Sequence, residues 1–264
     1  MTYSKLRRCV CALFIATVAL TATACQHTES KSEATPDHHA DSDESPQFVV
    51  ALDAGHNGGN ADHPEIINDK VNVGNGKKPC NTSGTQTRDG YAEHAFNFDV
   101  VKRMVALFKN DSVKVVLTRK TDDGVGPCVD RRAEIGNEAH ADLALSVHAD
   151  GGPADGRGFH IMEPKTVKGH NEKIVKPSAA FAKVIAKSVE DGTPMKPSTY
   201  IGHDGLNPRD DMGGMNLSKV PTVMVESGNM RNAADAKLLK DKGFRQKLAK
   251  SLVDGIMDYL IQNR

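Results

Sequence analysis

From residue 48 onward, apolar residues gather into short unbroken runs separated by polar stretches. The first run, residues 48–52, holds Phe48, Val49, Val50, Ala51 and Leu52. Such runs, bounded by polar or turn residues, predict strands buried on both faces. Residues 113–117 and 143–147 repeat the pattern, 158–162 predict a further strand, and 222–225 predict one entered from Pro221. Between the runs the apolar period changes to a helical one. Phe96, Val100, Met104 and Leu107 mark a helix over 93–108, with Asp89 as its expected N-cap. Helices are also predicted over 129–137 and 177–189, and Phe244, Leu248, Leu252, Ile256 and Leu260 line the face of a closing one. This alternation predicts a single α/β domain, a mainly parallel sheet with helices on both faces in a three-layer sandwich.

The first 47 residues follow other rules. Lys5, Arg7 and Arg8 precede an apolar stretch from Val10 to Leu20, and Ala22, Thr23 and Ala24 supply small residues before Cys25. Residues 1–24 therefore read as a signal peptide, too short in its apolar part to span a membrane. Ala-x-Ala suits ordinary cleavage, whereas Cys25 directly after Ala24 suits a lipid-anchored terminus. Residues 25–47 are polar, rich in Ser, Asp and Glu, and read as a disordered tether. Its His27, His38 and His39 read as part of a solvated linker. Residues 48–264 remain for the folded domain.

Composition narrows the function. The 34 basic and 34 acidic residues cancel, so no net field steers the chain onto nucleic acid or an anionic membrane. Trp is absent and aromatic content is 5%, which disfavours a sugar-binding module built on stacking rings. Cys9 and Cys11 fall in the signal, and Cys80 and Cys128 remain as a pair in an exported domain. A disulfide between them is expected, rather than two separate buried thiols, and it would stabilise the fold by about 4 kcal/mol.

Sites in open α/β sheets form beyond the carboxyl ends of the strands. The first strand runs into Asp53-Ala54-Gly55-His56, the third into Ser146-Val147-His148-Ala149-Asp150, and a later one into Glu226-Ser227-Gly228. Glu93 joins them from the first turn of a helix. Two imidazoles and two carboxylates on one rim suit metal-assisted hydrolysis. Three protein groups hold a zinc ion, the open position takes water, and a further carboxylate moves the proton. No compact HExxH motif is present.

These segments, in this order, resemble the amidase-3 family of zinc-dependent N-acetylmuramoyl-L-alanine amidases, particularly its compact single-domain actinobacterial forms. The resemblance runs from about Phe48 to about Leu260. It rests on Asp53-x-Gly55-His56, Glu93 with Asn97, Thr118-Arg119 with Asp122 and Arg131, Asn137 with Ala141-Asp142, Ser146-x-His148-Ala149, and residues 221–228 followed by Asn232. It implies His56, Glu93 and His148 as ligands of one Zn2+ ion and Glu226 as general acid/base. It also implies hydrolysis of the amide between N-acetylmuramic acid and L-alanine in peptidoglycan.

Some positions depart from the family. His94 competes with Glu93 as a ligand, Asn229-Met230 replaces bulky apolar residues, and residues 57–92 form a long insertion carrying Cys80. Residues 163–177 are too few for the autoinhibitory helix of activator-dependent relatives, so an open cleft is expected. Arg119 and Arg131 read as structural, Asp53 as orienting an imidazole or capping a turn, and Gly55 as serving close backbone approach. His63, His140, His160, His170 and His203 read as ordinary surface or core residues. Three other readings compete: a zinc peptidase or carboxypeptidase cutting within the stem peptide, a non-catalytic zinc-binding envelope lipoprotein, and a pure peptidoglycan-binding module. The expected partner is peptidoglycan or a muropeptide, the state a monomer, and the location the periplasm or cell envelope, free or on a lipid anchor.

Overall fold

The computed structural model describes residues 47–108 and 112–264. The signal segment, Cys25 and nearly all of the tether lie outside the described residues. The elements, in chain order, are β1 (Phe48–Ala54), a 3-10 turn (Gly58–Asp62), α1 (Pro64–Ile67), β2 (Lys70–Asn72), β3 (Lys77–Pro79), α2 (Glu93–Leu107), β4 (Val113–Leu117), α3 (Val129–Glu138), β5 (Leu143–Asp150), β6 (His160–Pro164), α4 (Glu172–Gly192), β7 (Leu206–Arg209), α5 (Gly213–Asn216), β8 (Thr222–Asn229), α6 (Ala233–Lys240) and α7 (Lys242–Gln262). Six strands form one sheet in the order β4-β1-β5-β8-β6-β7. β4, β1, β5 and β8 pair in parallel. β6 runs antiparallel to β8 and parallel to β7, so the sheet is mostly parallel.

Strand alternation gives the sheet two unlike faces. Leu143, Leu145, Val147, Val223, Val225 and Ile161 enter a core closed by α2, α4 and α7. Phe96, Val100 and Met104 of α2 are fully buried there, each contributing about 1.5–3 kcal/mol. The intervening residues face the other way. Register aligns Asp53 with Ser146, Ser146 with Met224, and His148 with Glu226 on that second face. α3 and α5 cover it only in part, leaving a cavity of about 260 Å³ lined by Gly55, His56, Ser146, His148, Met212 and Met224 among others.

Several local expectations change. Asp89 does not cap α2, whose N-cap is Ala92 with no side-chain bond; Asp89 instead accepts from Thr87 and Lys240. α4 starts at Glu172, ahead of Pro177, because Ile174 is buried and extends the apolar face. Residues 57–92 include the β2–β3 hairpin, and Cys80 is joined to Cys128 at the N-cap of α3 by a disulfide. Only Lys165–Asn171 link β6 to α4, with no intervening helix. Among the described residues, no helix is long and apolar enough to cross a membrane.

Candidate active site

The backbone leaving β1 is held before any chemistry is placed on it. Arg119 donates to the carbonyls of Ala54 and Gly55, and Arg132 donates to those of Ala54 and His56. His56 is thereby kept at φ 59°, a left-handed conformation that non-glycine residues adopt only when their surroundings over-determine it. Its Nδ1 lies 2.9 Å from the Thr82 carbonyl in the insertion. Donation to that oxygen leaves Nε2 free to bind a metal. Gly55 permits the next approach: a Cβ there would stand 2.1 Å from the His148 ring.

Glu93 opens α2, where its charge also suits the helix dipole. Its Oε1 lies 3.1 Å from His56 Nε2 and 2.8 Å from His148 Nδ1. The amide of Thr85 donates to Oε2 at 2.9 Å, and that of Ala149 to Oε1 at 3.3 Å. The imidazoles meet edge to face with centroids 4.8 Å apart, and one ligand atom from each of the three residues lies within 4.8 Å of the others. Burial opposes ionisation of Glu93, but His56 and His148 outweigh it and hold the carboxyl well below its usual range.

Glu226 stands directly across from His148 on the neighbouring strand. It is 7% exposed, and among the described residues its Oε2 has no hydrogen-bond partner. Burial, followed by the charges of Glu93 and Asp150, pushes its proton affinity well above that of an ordinary carboxylate. A carboxyl whose proton affinity is raised in this way is suited to general acid/base work. Two nitrogens, one charged oxygen and a proton-carrying acid thus share one rim. That set suits a divalent cation such as zinc and hydrolysis beside it.

Other expected positions fall elsewhere. His94 bonds Asp122 at 2.9 Å and does not join the cluster. Asp53 neither orients an imidazole nor caps a turn; it accepts from Arg132, Thr118 and Ser146. Arg119 and Arg131 both bond carboxylates as expected of structural arginines, Arg119 at Asp122 beside the site and Arg131 at Glu134 and Glu138 on the solvent side of its own helix. Arg132, one residue later, does the structural work at the site, a difference of helix phase that spacing alone did not resolve. Thr85 acts through its backbone amide, which carries no side-chain signal, and Thr82 meets His56 Nδ1 with both its carbonyl and its hydroxyl.

A family model described as N-acetylmuramoyl-L-alanine amidase matches residues 50–258. The chain is 40% identical over 215 residues to the N-acetylmuramoyl-L-alanine amidase Rv3717 of Mycobacterium tuberculosis, covering 81% of this chain and 86% of that protein. Among solved structures it is similar to the N-acetylmuramyl-L-alanine amidase Ami1 of Mycobacterium smegmatis, with TM-score 0.77 and 40% identity over 83% of this chain and 99% of that one. The apo form of Ami1 from Mycobacterium abscessus gives TM-score 0.74 and 41% identity, covering 81% and 99%.

Proposed function

Because the chain belongs to the amidase-3 family and is an N-acetylmuramoyl-L-alanine amidase acting on peptidoglycan, we propose that His56, Glu93 and His148 hold one zinc ion and that Glu226 is the general acid/base. The donor set supports the metal. Two imidazole nitrogens converge on one buried carboxylate oxygen at 2.8 and 3.1 Å, the nitrogen and oxygen donors that a zinc ion takes. Bound there, zinc would polarise the scissile carbonyl and lower the pKa of water to roughly 7.

The chain's own groups do the rest. Thr82 and the Thr85 and Ala149 amides keep His56 and Glu93 oriented. Glu226 takes the proton of the attacking water and delivers it to the nitrogen of L-alanine as the bond to the lactyl carbonyl breaks. The observation that carries this reading is the β5–β8 register, which sets Glu226 beside His148 with an unpartnered oxygen.

Product identification tests it. Mass spectrometry of digested muropeptides should show a free N-terminal L-alanine beside intact sugar; cuts only inside the stem peptide would overturn the assignment in favour of the peptidase reading. Metal analysis should find one zinc per chain, lost in His148→Ala and kept in Glu226→Gln. The short β6–α4 link supports an open cleft, and activity appearing only after a partner protein is added would refute that. For location, the substrate class and the Cys80–Cys128 bridge support an extracytoplasmic, oxidising compartment. We extend this to a monomer exported by residues 1–24, tethered through residues 25–47 and lipidated on Cys25. The mass of the mature N-terminal peptide and light scattering of the intact protein check these points.

A further inference from the structure

β8 holds Glu226 between two imidazoles. Register sets His148 of β5 opposite it on one side and His160 of β6 opposite it on the other. The three side chains therefore leave one face of the sheet at the strand spacing of about 4.8 Å. His148 belongs to the ligand cluster; His160 does not, and the reaction as derived above gives it no part. Yet His160 is fully buried, and a buried imidazole is kept only with partners.

Those partners form a chain of contacts leading away from the site. Nε2 of His160 lies 3.4 Å from Asp150 Oδ2, and Nδ1 lies 3.5 Å from the Asn207 amide. The same Asp150 oxygen accepts from the Tyr200 hydroxyl at 2.8 Å, while Oδ1 accepts from the Gly151 amide at 2.6 Å. The β5–β8 register shifts between His148 and Asp150, a bulge of the kind that re-aims a side chain beside an active site. Tyr200 arrives from the loop before β7 and packs closely against Gly152 and Gly156. A Cβ at Gly152 or Gly156 would stand 2.5 or 2.6 Å from its ring.

Glu226 itself lacks this kind of fixing. Among the described residues its Oε2 has no partner, so its rotamer depends on what packs beside it. On the side away from His148, that neighbour is His160. We propose that His160, held by Asp150 and Tyr200, is the positioning residue that keeps the Glu226 carboxyl aimed toward the His56–Glu93–His148 cluster. The proposal rests on the reading of Glu226 as acid/base, which Glu226→Gln tests separately: an active, zinc-bound Glu226→Gln enzyme would remove that reading whatever His160 does.

The test uses zinc-loaded full-length enzyme and its kcat and KM on a muramyl peptide. A misaimed carboxyl costs rate rather than binding, so His160→Leu should lower kcat by roughly 10- to 100-fold with KM and zinc content unchanged. His160→Gln, whose amide reaches the position of Nε2, should recover kcat to within severalfold. Tyr200→Phe should lower kcat severalfold alone and add nothing to His160→Leu, because the tyrosine acts through the histidine. The proposal is overturned if His160→Leu keeps kcat within about twofold, if its loss lies in KM, or if glutamine rescues no better than leucine. Should His160→Leu fail to fold, Tyr200→Phe decides: a severalfold fall in kcat at constant KM supports the proposal, and an unchanged kcat defeats it.

Discussion

Asp53 and Glu226 flank β5 from opposite sides, one part-buried and one buried carboxyl group on the same face of one sheet. Their surroundings could hardly differ more. Asp53 accepts from the Arg132 guanidinium and from the hydroxyls of Thr118 and Ser146. Burial works against its charge, but these donors win and hold its carboxyl well below the usual range. Glu226 meets only burial and two further carboxylates, Glu93 and Asp150, with Arg209 as a weak counterweight. One acid is spent on holding the β1 loop in place; the other is left short of partners, so that its proton is available. Full satisfaction marks a structural carboxylate and under-satisfaction a chemical one.

Substitution should separate the two, with the larger effect at Glu226. Glu226→Gln keeps the shape and removes the proton carrier, so turnover should fall by about 10²- to 10⁴-fold. Its stability to urea at neutral pH should stay level or rise, since a buried carboxyl with an unpartnered oxygen is replaced by an uncharged amide of the same shape. Retained activity would erase the contrast. Asp53→Ala should do the reverse in thermodynamic terms. It strands the Arg132 guanidinium without its partner, a change that costs about 3–5 kcal/mol, read as a lowered denaturation midpoint.

Acid titration of stability sharpens the same contrast and should give a smaller effect. The folded pKa of Asp53 is depressed, so its contribution is present above its ordinary value of 3.8 and is lost as pH falls below it. The folded pKa of Glu226 is raised, so the metal-free fold is most favoured where the group is protonated and loses stability as pH climbs upward from 4.5. Each group can add a slope of at most about 1.4 kcal/mol per pH unit. In chelated protein, Asp53→Asn should flatten the acid limb below pH 4, and Glu226→Gln should flatten the decline above pH 4.5. If both variants changed the same limb, the two environments would not differ as described.

The sequence exposed these two acids unequally. Strands with continuous apolar runs, β1, β4, β5 and β8, were legible from those runs. So were the strand ends carrying His56, His148 and Glu226. Burial on both faces was the wrong expectation for two of the strands, since β5 alternates buried and half-buried positions and the edge strand β4 is only half-buried. β7 was not, since Leu206–Arg209 is a four-residue edge strand containing Pro208 and has no apolar run. α6 was missed because eight residues give too little periodicity, although Asn232 caps it through Ala234 and Asp235. At the site, side-chain identity was readable and side-chain partnership was not. Asp53 could be named from its motif, but its arginine sits about 80 residues away, and only the packed fold selects it. His160 looked ordinary for the same reason: its place in line with Glu226 depends on an antiparallel pairing that no local pattern specifies.

The finest division falls between two adjacent arginines. Arg131 and Arg132 share the first turns of α3, and a helix rotates successive side chains by about 100°. Arg132 turns inward and is 8% exposed, bonded to Asp53 and to the carbonyls of Ala54, His56 and Pro127. Arg131 turns outward, and its ion pairs with Glu134 and Glu138 form in water, where screening and side-chain entropy cancel most of the attraction. Arg131→Ala should therefore leave the melting temperature and the turnover number where they were, while Arg132→Ala lowers the first by the several degrees expected for Asp53→Ala. Differential scanning calorimetry on the two variants measures this directly. A drop in Arg131→Ala matching that of Arg132→Ala would mean that the outer pairs also brace the β1 loop, and the support of Asp53 could no longer be assigned to one guanidinium.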